Sequence, residues 1–169
     1  PEANTDLANL STATESATLH THWLRARPQD YGPQPRARVE AGFAVSATDY
    51  LTALQLRPRI VREFCEAAFA ECDVLHAPTF DMEIPTIAET DVGDRQGFAA
   101  LIAGISRCTR PLNYLSLPAL SIPAGVTPNG LPASLQLIGR PYAEATLYRA
   151  ASAFETATDF MAAAPELPQ

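Results

Sequence analysis

Three histidines, three cysteines and a set of serines are the side chains with which this chain could do bond-making or metal chemistry. His20 and His22 stand two apart, which puts them on one face of a strand but roughly 200° apart around a helix. Chelation would need further ligands, none is spaced suggestively nearby, and no metal site is read. His76 lies in the apolar run Val74-Leu75-His76-Ala77, where a hydrogen-bonded strand histidine is the reading and a general base the alternative. Cys65, Cys72 and Cys108 form no C-x-x-C pair, and an odd number cannot all pair internally. They read as small, buried, reduced thiols, which sets the expectation of a cytoplasmic protein.

Ser121 is the serine whose setting most invites the word nucleophile, yet no G-x-S-x-G elbow exposes it. No amine is available to activate it either, because all twelve basic residues are arginines. Arginine stays protonated near neutral pH and cannot serve as a general base. Ser116 and Ser134 are no better placed, so no residue of this chain is assigned a catalytic role. Thr109, Arg110 and Asn113, grouped around Pro111, are different. They are read as substrate-binding, from a loop at the mouth of a strand pair where a sheet-based enzyme faces its cleft. The alternative is that Thr109 and Asn113 satisfy backbone groups in an irregular segment. Asp81, Glu83 and Glu89 read as solvated carboxylates, with substrate contact from their connection as the alternative.

The elements that would position these residues follow from pattern. Ala119 to Ala124 is a short apolar run bounded by Pro118 and Pro123, and Ala133 to Gly139 alternates polar and apolar residues with period two. Pro128-Asn129-Gly130 between them is turn chemistry, so the two runs predict an antiparallel pair pinned by proline. Val74 to Ala77 predicts a buried strand. Residues 1 to 24 predict a polar, weakly amphipathic helix, and Pro28 to Pro35 a loop. Asp49 to about Glu71 gives the longest helical pattern, capped by Ser46 or Thr48, with Pro58 expected to kink or divide it. Arg57, Arg59 and Arg62 then form a solvated helix face. Thr79 to Gly97 reads as a long irregular connection, Gln96 to Ile105 as a short helix, Ala143 to Thr158 as a final helix and Ala162 to Gln169 as a frayed tail.

Composition bounds the class. A chain of 169 residues with 47% apolar content can bury a core. A net charge of -7 argues against a nucleic-acid partner. No apolar run is long enough to span a bilayer, so no membrane association is read. Pro1-Glu2 stands where an initiator Met would be, which sets the expectation that residues 1–169 are a portion of a domain rather than a complete one.

Ordered matches run along most of the chain: Arg27-Pro28-Gln29-Asp30-Tyr31-Gly32 with Arg36, Arg38 and Glu40-Ala41-Gly42; Ala77-Pro78-Thr79; Thr109-Arg110-Pro111-Leu112-Asn113; Leu117 to Gly125; Asn129-Gly130-Leu131-Pro132; Leu135-Gln136-Leu137-Ile138-Gly139-Arg140-Pro141; and Glu144 to Leu147. This set resembles the C-terminal portion of the amidase signature family. The resemblance implies an α/β fold, part of a mixed β-sheet flanked by helices. It implies an amidase that hydrolyses carboxylic amides through a serine, a second serine in a cis peptide and a lysine, with no cofactor. Those residues belong to a Gly- and Ser-rich N-terminal segment that this chain lacks. The expected partners are therefore that missing N-terminal catalytic portion and a small-molecule amide; homo-oligomer formation stays open. Two alternatives are carried: the glutamine-hydrolysing component of a tRNA-dependent amidotransferase, and a non-catalytic remnant that binds a partner through an exposed sheet edge.

Overall fold

A computed structural model describes residues 2–90 and 98–160. Its centre is a three-stranded sheet of β1 (Val74–Pro78), β2 (Ala119–Val126) and β3 (Pro132–Gly139) in the order β1-β3-β2. Both pairings are antiparallel, and helices flank the sheet as expected of this α/β fold. The β2–β3 hairpin closes as its sequence predicts. Thr127 and Leu131 face each other through a backbone bond of 2.8 Å, and Gly130 takes the positive φ of 79° that the turn needs. One irregularity, between Pro123 and Gly125, shifts the register near the turn.

Helices cover both faces of the sheet. On one face α7 (Glu144–Ala157) sets buried Leu147 and Ala151 against Ile122 and Leu137, with Leu120, Leu135 and Phe154 around them. On the other, Ile138 joins a cluster with Phe69, Leu112, Tyr114, Leu115 and Ala8. That cluster is built from α1 (Glu2–Ala26), α3 (Ala47–Ala68) and α6 (Arg110–Leu115). The two-sided cover corrects what the period-two alternation from Ala133 to Gly139 predicts, a half-buried strand with one wet face. Gln136, Leu137 and Ile138 are all buried in succession, because β3 is the middle strand between two helical layers. The reverse correction applies to β1, which was expected to be buried. It is an outer strand among the described residues and is only half-buried.

Proline stands in the first turn of α6 and of one further helix. Pro33 opens α2 (Pro33–Glu40), so only the first part of the stretch from Pro28 to Pro35 is non-helical, and Pro28–Asp30 within it forms a 3-10 turn. The expected loop is thus overturned in its second half: at the first helical position a proline gives up an N–H that would have had no partner. Ser46 caps α3 by accepting from the Asp49 N–H at 3.0 Å. The helix continues through Pro58 without dividing. A second 3-10 turn, Ala41–Ala44, lays Gly42 against α1, with no room for a side chain between them.

α4 (Ile87–Thr90) and α5 (Phe98–Ile105) fall within or after the connection from Thr79. Residues 91–97 of that connection, the start of the helix read from Gln96, and the tail from Ala162 to Gln169 lie outside the described residues.

Candidate functional site

Three segments meet at the end of β1. The first is the chain leaving β1 from Thr79, the second is the corner between α5 and α6, and the third is the adjoining row of β2 and β3. Ala77, Gln136 and Ser121 stand opposite one another across the three strands. One step further along, the Thr79 N–H donates to the Ser134 carbonyl at 3.2 Å. The Thr79 hydroxyl lies 3.0 Å from the Ser121 hydroxyl, across β3. The partner of Ser121 is therefore another alcohol, which cannot take its proton, and the serine stays unactivated.

Beneath this row Gln136 is only 3% exposed. Its side-chain nitrogen donates to the Pro78 carbonyl at 3.2 Å and to the Cys108 carbonyl at 2.9 Å. Two carbonyl oxygens in reach fix which end of the amide faces them. Asp81, on the same segment as Thr79, pairs with Arg107 at the α5–α6 corner. The Arg107 hydrogen bond is the main reason the Asp81 carboxyl lies below its ordinary range, and the Cys108 thiol adds to it. Burial, and then Asp81, push the Cys108 thiol up. Cys108 is thus a protonated thiol at neutral pH, unlike the depressed thiolate of a cysteine nucleophile.

Thr109, Arg110 and Asn113 do not lie in an irregular segment. Thr109 precedes α6, and Arg110 and Asn113 sit on it; Pro111 in the first turn is compatible with a helix start. Thr109 and Arg110 meet at Ser106, and Asn113 stands apart from them. The Thr109 hydroxyl donates to the Ser106 carbonyl at a long 3.5 Å. Arg110 donates to Asn9 of α1 at 2.8 Å and to the Ser106 hydroxyl at 2.5 Å. Its guanidinium helps wall a pocket of about 380 Å³ with Asn9, Gln34, Arg38, Ile102 and Ala103. Asn113 is exposed, and its backbone alone forms the helical bonds.

The carboxylates read as solvated have partners. Besides Asp81, Glu83 accepts from the Asn129 side chain at 2.6 Å, and Glu89 accepts from the N–H and hydroxyl of Thr86 at 2.8 and 2.9 Å. The connection after β1 is therefore tied to the hairpin turn at one point and to the α5–α6 corner at another. Of the arginines read as a solvated face, Arg57 bonds the Ser116 hydroxyl and lies 5.8 Å from the Tyr114 ring centre, while Arg59 pairs with Glu63 at 2.8 Å. His20 bonds the Tyr31 hydroxyl at 2.8 Å, and His76 is exposed on β1. All three cysteines are free and half-buried rather than buried, and Cys65 and Cys72 pack against the larger core cluster. No group of three or more metal-ligating side chains forms among the described residues. No helix among them is long and apolar enough to cross a membrane.

Sequence pattern did not single out Gln136. Alternation treats the polar positions of a strand as wet, and the only contrary signal was that apolar runs at Val74 and Ala119 could each pair with Ala133 to Gly139.

Sequence and fold both find counterparts in one family. Residues 2–148 match the Amidase family model, and the chain belongs to the amidase signature family. Over 150 residues it is 42% identical to a glutamyl-tRNA(Gln) amidotransferase subunit of Moorella thermoacetica, covering 86% of this chain and 29% of that one. Over 148 residues it is 35% identical to a Mycobacterium tuberculosis protein carrying the name amidase AmiD, covering 88% of this chain and 30% of that one. Among solved structures, a chain from a vestigial protein complex that bears on the origins of an s-triazine catabolic enzyme superposes with a TM-score of 0.76. That chain is 28% identical, with 92% of this chain and 34% of the other covered. The chain thus spans about a third or less of the length of the relatives it matches.

Proposed function

We propose that this chain is the C-terminal portion of an amide hydrolase whose Ser–cis-Ser–Lys residues lie outside residues 1–169. One observation carries the reading: a family match over residues 2–148 in a sequence that holds no lysine. The geometry is consistent with a supporting role, since Ser121 has an alcohol for a partner and Cys108 is held as a thiol. In the proposed reaction the external serine gives up its proton, through the second serine, to a neutral lysine as its oxygen bonds to the amide carbonyl carbon. The C–N bond breaks, the amine leaves with a proton delivered from the lysine through the second serine, and water then cleaves the acyl ester. Backbone N–H groups would hold the oxyanion. This chain would complete the sheet and wall the cleft, with Thr109, Arg110 and Asn113 proposed to contact the substrate.

Labelling the native protein with a fluorophosphonate and locating the modified serine by mass spectrometry tests this. A label on a contiguous or co-purifying segment outside residues 1–169 is expected. A label on Ser121 would overturn the division of labour, and no label at all would favour a non-catalytic remnant.

The 42% identity to an amidotransferase component favours a second reading, in which glutamine is the amide. Release of ammonia from glutamine that appears only when a partner protein is supplied would select it. Hydrolysis of simple acyl amides without a partner would select the general amidase.

A further inference from the structure

We infer that Gln136 is a positioning residue that sets the spacing between two walls of the substrate cleft; this rests on the amide-hydrolase reading. One wall is the segment leaving β1 at Pro78, which carries Thr79 and Asp81. The other is the α5–α6 corner, where Cys108 precedes Thr109 and Arg110. These segments are distant in sequence, yet the single side chain of Gln136 bonds the Pro78 carbonyl at 3.2 Å and the Cys108 carbonyl at 2.9 Å. Asp81 and Arg107 join the same two segments a second time.

The chemistry of the contact allows little substitution. Two carbonyl oxygens converge on one nitrogen, and a primary amide supplies the two N–H groups that satisfy both. Without that donor the carbonyl of Pro78, an exposed residue, and that of Cys108, a half-buried one, lose the group that joins them. Acceptors that lose a shared donor take water in its place, and water ties neither segment to the other, so the walls separate. An apolar residue of similar size would fill the volume but not hold the gap. Glutamate would fill it as well, but in its ionised form it sets a negative charge against both carbonyls. Only its protonated form donates, and only once, so burial and the facing oxygens raise its pKa above the ordinary value of about 4.3.

Wall spacing acts on the bound substrate and the transition state alike, so its loss falls on KM more than on kcat. The test uses the complete enzyme that carries this chain, hydrolysing an acyl p-nitroanilide, with active sites counted by fluorophosphonate titration. Gln136→Leu is expected to raise KM about tenfold, with kcat per titrated site changed less than about threefold. Gln136→Glu is expected to show a KM near wild type in acid that climbs as the pH rises, while wild-type KM does not follow that profile. If Gln136→Leu does not fold, the pH profile of Gln136→Glu decides alone. Variants that lose only titratable sites, with wild-type KM at every pH among those remaining, would overturn the inference while leaving the hydrolase reading intact. A wild-type enzyme that neither turns over the anilide nor takes the label would overturn the reading and this inference with it.

Discussion

Asp81 and Gln136 grip the same pair of segments from the outside and from beneath, and they answer to pH differently. Gln136 does not titrate. The Asp81 carboxyl is held below its ordinary 3.8 chiefly by the Arg107 hydrogen bond. A carboxylate with a depressed folded value adds stability that is fully present above the unfolded value, and this is lost as pH falls through the folded one. Asp81→Asn should therefore lower the melting temperature at neutral pH, and the difference from wild type should close as pH drops below 3.8. Thermal melts across that range check this, and a difference independent of pH would show that the ion pair is not its source. The Arg107 side chain is exposed, so added salt should shrink the same difference. Neither Asp81 nor Gln136 was legible in sequence. Their partners Arg107, Pro78 and Cys108 lie 26 or more residues away, and no local pattern announces such a contact.

Elements were easier to read than contacts, because their signals are local. Proline and Asn-Gly fixed the hairpin, Ser46 or Thr48 marked the start of α3, and the apolar stripe of Leu147, Ala150, Ala151 and Phe154 gave the inner face of α7. The failures came where one residue type has two meanings. Pro33 and Pro111 look like helix breakers but stand in first turns, so α2 and α6 were read as loop and irregular chain. Likewise, the polar positions of β3 looked wet because pattern does not say that a strand is the middle one of its sheet. Gly42 offers a test at this scale. A methyl group there would stand 2.0 Å from the Ala13 carbonyl oxygen and 2.7 Å from the Ala17 side chain, so the 3-10 turn and α1 would have to separate. Gly42→Ala is expected to cost about 1–3 kcal/mol, read as a lower urea midpoint. Adding Ala17→Gly should not restore it, since the nearest obstacle is the backbone of Ala13. Recovery in the double variant would show that side-chain crowding, and not the helix backbone, sets the approach.

At the scale of the whole molecule, the family was legible from an ordered series of short matches, although no three-residue piece of it was specific. The fold supplied what the series could not: two helical layers enclosing a sheet whose middle strand comes last of the three in sequence. That order has a kinetic signature in deuterium uptake. β3 is bonded on both sides, so its amides should exchange slowest of the three strands, opening only with the larger unfolding events. β1 and β2 each turn one set of backbone groups away from β3, and those amides report on whatever lies beyond them. In the proposed full-length hydrolase, the strand whose outward amides become as slow as those of β3 is the edge at which further chain continues the sheet. Fast outward amides on both strands would mean that the proposed catalytic portion meets these residues through their helices instead.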